Sequence, residues 1–248
     1  YGTSIAQGAC ASRPGMAWTS ILGRKMDRPL INLGFSGNGP MEKEVIELLS
    51  EVEAKAYILD CFPNMANEEV VTLEQVKERV LFAARHLRQK RPNTPIVFAE
   101  HAGYTEGNMN RIRKAKYENV NTTFREAFAQ LKSEGMTGIY AIPMTAFEQD
   151  IEAAVDGTHP NDLGMFRYAL GYEKYLRPIL HEQDGPASTQ KPVIQSRELG
   201  GYNWEERHLA LLKLNKTNPP KTVLFGNSIT HFWGGEPSGY RAYGQDSW

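Results

Sequence analysis

Four short apolar runs, at residues 30–33, 56–59, 95–99 and 138–142, alternate with longer amphipathic stretches, and this alternation constrains the fold more than any other feature. A run of four or five apolar residues suits a strand buried on both faces. The stretches between are spaced for helices. Trp18, Ile21 and Leu22 share a face within 15–26, before Pro29; Val45, Leu48, Leu49 and Val52 recur within 41–52. Residues 68–89 form a long amphipathic stretch ending before Pro92. Residues 110–134 carry Phe124, Ala127, Phe128 and Leu131 on one side and stop at Gly135, and 161–180 closes the series. Strands alternating with helices imply a parallel sheet covered on both faces, a three-layer α/β/α sandwich. Chemistry in such sheets collects beyond the carboxyl ends of the strands. The loops at 34–39, 60–64 and 100–103 all follow strands.

Composition narrows the function classes. A net charge of -1 over 248 residues gives no reason to expect nucleic acid or an anionic membrane as partner. No apolar run reaches transmembrane length. Cys10 and Cys61 make neither a disulfide framework nor a metal-type spacing, and Cys61, within an apolar run, reads as a small buried hydrophobe. Residues 1–182 read as one domain. Residues 183–203 shift to a linker composition, 204–214 to a helix, and 221–225 to a strand leading into Gly226-Asn227-Ser228-Ile229. That ending echoes Gly2-Thr3-Ser4-Ile5, so 204–248 reads as a helix plus the start of a truncated second copy. With no initial methionine and a turn at its very start, the chain is expected to be a cut-down piece of a longer polypeptide.

Ser4 stands in a small-residue turn, the setting that lifts a nucleophile clear of regular structure, although most Gly-x-Ser stretches are ordinary turns. Asp156-Gly157-Thr158-His159-Pro160, late in the chain, offers an orienting carboxylate and a base three residues apart. The glycine loop 34–39 lacks the endings of nucleotide-binding motifs; it is either a tight strand-to-helix turn or a source of an N–H aimed at an oxyanion. Asn64, after Pro63, caps a turn or donates its amide to the same oxyanion. His101 beside Glu100 reads as structural or substrate-facing rather than catalytic. His181, His208 and His231 have no ligand spacing.

Gly2-Thr3-Ser4-Ile5, Asn32 to Gly37, Pro63-Asn64 and Asp156 to Pro160 resemble, in order and spacing, the four blocks of the SGNH hydrolases, the GDSL-like lipases and esterases. The resemblance covers about residues 1–180 and is nearest to bacterial members with Gly-Thr-Ser-Ile in the first block. Thr3 for the usual Asp, and Cys-Phe-Pro-Asn in the third block, are departures that bear on subfamily and substrate. The resemblance implies a flavodoxin-like sandwich and a serine esterase acting on short acyl groups, such as acetyl on a carbohydrate. It assigns Ser4 as nucleophile, His159 as general base and acid, and Asp156 as its orienting partner. The Ser4 and Gly37 N–H groups and the Asn64 amide would form the oxyanion hole. It implies no cofactor or metal, and a periplasmic or extracellular setting. The absence of a Gly-x-Ser-x-Gly elbow argues against the ordinary α/β-hydrolase fold.

The same resemblance raises a structural problem. The strand expected before the nucleophile is interior to the sheet, and here it is missing from the N-terminus. An empty interior slot leaves two strand edges unpaired. Residues 221–225 are the candidate filler, within one chain or by exchange between copies, which would make Ser228 an alternative nucleophile. Two other readings stay open: a catalytically idle carbohydrate-binding domain, and a scaffold segment of a multidomain protein.

Overall fold

In the computed structural model, described over residues 1–182 and at Leu209, Leu212, Lys213 and Lys216, three strands form a parallel sheet in the order β1-β2-β3: Tyr57–Leu59, Ile96–Ala99 and Ile139–Ile142. The register pairs Ile58 with Val97 and Val97 with Tyr140. All four residues of β2 are buried, as a strand with neighbours on both edges and cover on both faces requires.

Helices cover the two faces. A one-turn helix α1 (Ser4–Gln7), α2 (Trp18–Met26) and α6 (Asp162–Ile179) lie on one side, where Trp18 stacks on Tyr172 at 4.2 Å between ring centroids. On the other side are α3 (Lys43–Leu49), α4 (Leu73–Lys90) and α5 (Arg111–Ser133), with Phe124 packed between Phe62 and Phe98. This is the expected three-layer α/β/α arrangement.

Element boundaries shift for local reasons. The helix expected from 68 starts at Leu73, because Thr72 and Gln75 form a reciprocal capping box there. The helix expected over 41–52 contracts to seven residues and turns Ile46 and Leu49 inward, leaving Leu48 64% exposed. The stretch before Pro29 is helical only from Trp18, and its preceding turn is a 3-10 turn at Pro14–Met16.

The larger correction concerns residues 30–33, expected as a strand. They form none: only Gly34 pairs, in a single bridge to Gly2, and Gly2 bridges Asp60 on its other side. A strand exists only through its ladder partners. The place where a partner would run is instead a cavity of about 360 Å³ between 29–33 and 55–58, lined by Leu22, Met26, Leu30, Ile58 and Leu176. Tyr1 and Gly2 plug one end of it. The Tyr1 ammonium donates to the Ile58 carbonyl at 2.8 Å, and the Asp60 N–H donates to Tyr1 O at 2.9 Å. Gly2 N–H donates to Leu33 O at 3.0 Å, and Phe35 N–H to Gly2 O at 2.9 Å. Among the described residues, Tyr1 and Gly2 are what joins these two sides, at the carboxyl end of β1. The linker at 183–203, the second copy with Ser228, and the entry of 221–225 into the gap lie outside the described residues, and of the helix expected at 204–214 only Leu209, Leu212 and Lys213 are described, all helical.

Candidate active site

Ser4 is placed by the plug just described. The chain emerges from between 34 and 60 and turns at once into α1, where the Thr3 side chain accepts the Ile5 N–H at 3.3 Å and Gly8 ends the turn with φ +98°. As the first residue of a helix, Ser4 has no intrahelical acceptor for its N–H. Gly34 passes so close to α1 that an added Cβ would lie 2.6 Å from Gln7 Cα. Asn32 ties the same crossing together, donating to Ala6 O at 2.8 Å and to Thr19 Oγ1 at 3.0 Å while accepting the Gly34 N–H at 2.9 Å.

The loop before α6 brings the distant histidine over this turn. His159 Nε2 lies 3.0 Å from Ser4 Oγ, and His159 Nδ1 lies 2.7 Å from Asp156 Oδ2. Asp156 Oδ1 also accepts the backbone N–H groups of Thr158 at 2.9 Å and His159 at 2.7 Å. Partial burial disfavours the Asp156 charge, but the hydrogen bonds from His159 and Thr158 outweigh it and hold the carboxyl down at about 2. Asp156 is thus an acceptor at every working pH. It accepts a hydrogen bond from Nδ1–H, which leaves the lone pair of Nε2 facing the serine.

Gly37 and Asn64 stand on the other side of Ser4, in the same cleft of about 520 Å³. Gly37 adopts φ +72°, and nothing lies within 4 Å of where a Cβ would be. Asn64 sits in the 3-10 turn Phe62–Met65 that directly follows β1, and its Nδ2 donates to the Asn38 carbonyl. An amide nitrogen carries two hydrogens, so one remains for a ligand. The structure therefore brings Ser4, His159, Gly37 and Asn64 together around one cleft, with Asp156 bonded to the other ring nitrogen of His159.

A search of family profiles matches residues 1–177 to the GDSL-like lipase/acylhydrolase family. The chain belongs to that family. A GDSL-like lipase structure from Bacteroides ovatus is 39% identical, with a TM-score of 0.68 over 74% of this chain and 53% of that one. The salicylyl-acyltransferase SsfX3 of a tetracycline biosynthetic pathway is 17% identical, with a TM-score of 0.61 over 72% and 53%. A family two carbohydrate esterase from Clostridium thermocellum, solved with cellohexaose, is 12% identical, with a TM-score of 0.59 over 73% and 63%. At these lower identities the likeness is one of fold. None of the curated proteins compared with it matches. This GDSL-like hydrolase spans about half the length of the Bacteroides structure.

Two residues set aside from catalysis on sequence grounds are buried, and several residues of the cleft had no signal in the sequence. His101 is buried and structural: its N–H donates to Asn121 Oδ1 at 2.9 Å, its Nδ1 accepts Gly103 N–H at 2.9 Å, and burial presses its pKa down to about 3. Cys61 is buried and burial pushes its thiol up, in keeping with an inert apolar role. Tyr104, Arg113, Lys116 and Thr158 line the cleft and were not singled out from sequence. Arg113 pairs with Glu106 at 2.5 Å, donates to Thr158 Oγ1 and lies 3.9 Å from the centre of the Tyr104 ring, so it braces the loop that carries His159. Charged residues along an amphipathic helix look like a solvated face, and nothing in their spacing separates Arg113 or Lys116 from the neighbouring Arg111 and Lys114.

Proposed function

We propose that residues 1–182 form a serine esterase domain that hydrolyses short-chain acyl esters, with acetyl esters as the working class and an acetylated saccharide as the natural form. The observation that carries the reading is the continuous hydrogen-bonded chain from Ser4 through His159 to Asp156. Ser4 Oγ attacks the ester carbonyl while His159 Nε2 takes its proton; Asp156 holds the ring and balances the imidazolium. The carbonyl oxygen, now an oxyanion, lies against the Ser4 and Gly37 N–H groups and the free Asn64 hydrogen. His159 returns the proton to the leaving alcohol, the C–O bond breaks, and an acyl-serine remains. Water, deprotonated by the same histidine, then releases the acid and restores Ser4. The fold shared with a carbohydrate esterase supports a sugar ester as substrate, and a small open cleft suits a short acyl group better than a long one.

The test is hydrolysis of p-nitrophenyl acetate by the wild type, Ser4→Ala and Ser228→Ala. Activity lost in Ser4→Ala and kept in Ser228→Ala supports the reading. Loss only in Ser228→Ala assigns the nucleophile to the second copy instead. A folded wild-type chain without activity, and without labelling by a fluorophosphonate, refutes an esterase function for this chain.

A further inference from the structure

One face of α5 contributes Arg113 and Lys116 to the lining of the cleft. Arg113 at its N-terminal end is tied to Thr158, beside His159. Asn119, two turns on, donates to Glu68 at 3.0 Å, in the segment that follows Asn64. Lys116 lies between them, three residues from each, so its ammonium stands along the face that runs from the histidine loop towards the asparagine loop. Its surroundings are unusual for a lysine. The cleft is lined by Ser, Gly, Pro, Asn, Ile, Tyr, Thr, His, Arg113 and Lys116, with no carboxylate among them. The helical neighbours of Lys116 at i±3 and i±4 are Ile112, Arg113, Asn119 and Val120, none of them acidic. Among the described residues Lys116 makes no ion pair, whereas the Arg113 charge is already met by Glu106. One cation lining the cleft that holds Ser4 is therefore without an ion-pair partner among the described residues.

Lys116 lines the same cleft as His159, which bears on the part of an ester it can meet. His159 must reach the leaving oxygen to protonate it, so the alcohol departs on the histidine side of Ser4. Arg113 joins α5 to the histidine loop, and Lys116 is the next turn of the same face. We propose that Lys116 is a specificity-determining residue that selects esters whose alcohol part carries an anionic oxygen group, a carboxylate being the simplest. This rests on the Ser4 esterase reading and adds a substrate class to it. A charge pair at the edge of a partly desolvated cleft is strong enough to bias choice among esters and weak enough to be screened by salt.

The test compares kcat/KM for 4-acetoxybenzoate with that for its neutral methyl ester at low ionic strength, in the full chain. The ratio of the two, anionic over neutral, is the readout, so intrinsic ester reactivity cancels between variants. Lys116→Met is expected to lower the ratio about tenfold and Lys116→Glu further, while Lys116→Arg restores it to within about threefold. The wild-type ratio falls as salt is raised to about 0.5 M, and that of Lys116→Met does not. Lys114→Met, whose lysine pairs with Glu118 at 3.7 Å, keeps the wild-type ratio. An unchanged ratio in Lys116→Met, with both esters still hydrolysed, overturns the Lys116 assignment alone. Failure of the wild type on both esters, or full activity in Ser4→Ala, overturns the Ser4 esterase reading and this assignment with it.

Discussion

Replacing Asn64 by alanine separates the two roles its amide can play. One Nδ2 hydrogen goes to the Asn38 carbonyl, which joins the turn after β1 to the glycine loop. Asn64 also lines the cleft with Ser4 and Gly37, and the other hydrogen is the one the proposed mechanism gives to the oxyanion. Losing the first removes a partly exposed hydrogen bond, worth about 1 kcal/mol, and should lower Tm by roughly 2–4 °C for a domain of this size. Losing the second removes one of three donors to the oxyanion, which costs about 100- to 1,000-fold in rate, or roughly 3–4 kcal/mol of transition-state stabilisation. The two effects appear in different measurements. Steady-state kinetics with p-nitrophenyl acetate should show kcat and kcat/KM falling together with KM little changed, because the oxyanion exists only on the way to and from the acyl-serine. Asn64→Asp preserves shape but sets a carboxylate against the oxyanion, so its rate should fall at least as far as that of alanine. A loss of less than about fivefold in Asn64→Ala, or a loss carried wholly by KM, refutes the assignment of Asn64 as an oxyanion donor. A melting drop of more than about 8 °C would show that the tie to Asn38 matters far more to the fold than one hydrogen bond should.

Asp156→Asn removes the acceptor that holds the His159 tautomer, and kcat in an ester assay should fall by about four orders of magnitude with the fold intact by circular dichroism. Since Asp156 is held down at about 2, a pH–rate profile should carry no Asp156 step between pH 4 and 8. Asp60, fully buried at the end of β1, is raised to about 6 by burial, so the folded chain holds a proton there that the unfolded chain has released. That penalty is absent below about pH 4, grows as pH rises, and is complete above about 6. Asp60→Asn should therefore stabilise the protein by roughly 3 kcal/mol at pH 8, and denaturant titration should show the gain vanishing by pH 4. Gly34→Ala pushes a methyl into the α1 backbone at Gln7, and both melting temperature and esterase activity should drop sharply, since the displaced segment carries Ser4.

Local chemistry was readable from sequence wherever it depended on neighbours in the chain. Asp156 and His159 bond to each other within four residues, and the turn that carries Ser4 is shaped by Thr3 and Gly8, so there the motif and the geometry coincide. The layer order followed from periodicity alone. What escaped depended on partners far along the chain. Residues 30–33 are as apolar as any strand, yet form no ladder, and among the described residues only the bridge of Gly2 to Gly34 adjoins them. Val45 and Leu48 look like half of a buried stripe, but a seven-residue helix presents a single inward line, and Ile46 and Leu49 occupy it. Arg113 acquires its task from Glu106 and Thr158, 7 and 45 residues away, which no helical pattern encodes.

The two residues that plug the sheet give the site a mechanical property. Four backbone hydrogen bonds, from Tyr1 to Ile58 and Asp60 and from Gly2 to Leu33 and Phe35, join the part of the molecule bearing the glycine loop to the part bearing Asn64. Ser4 is two residues further on. Any excursion that frees Tyr1 and Gly2 therefore unlatches the sheet, parts the glycine loop from the turn carrying Asn64 and withdraws Ser4 in a single event. Amide exchange at Gly2, Phe35 and Asp60 should report one shared opening free energy, and ligands that occupy the cleft should slow all three together.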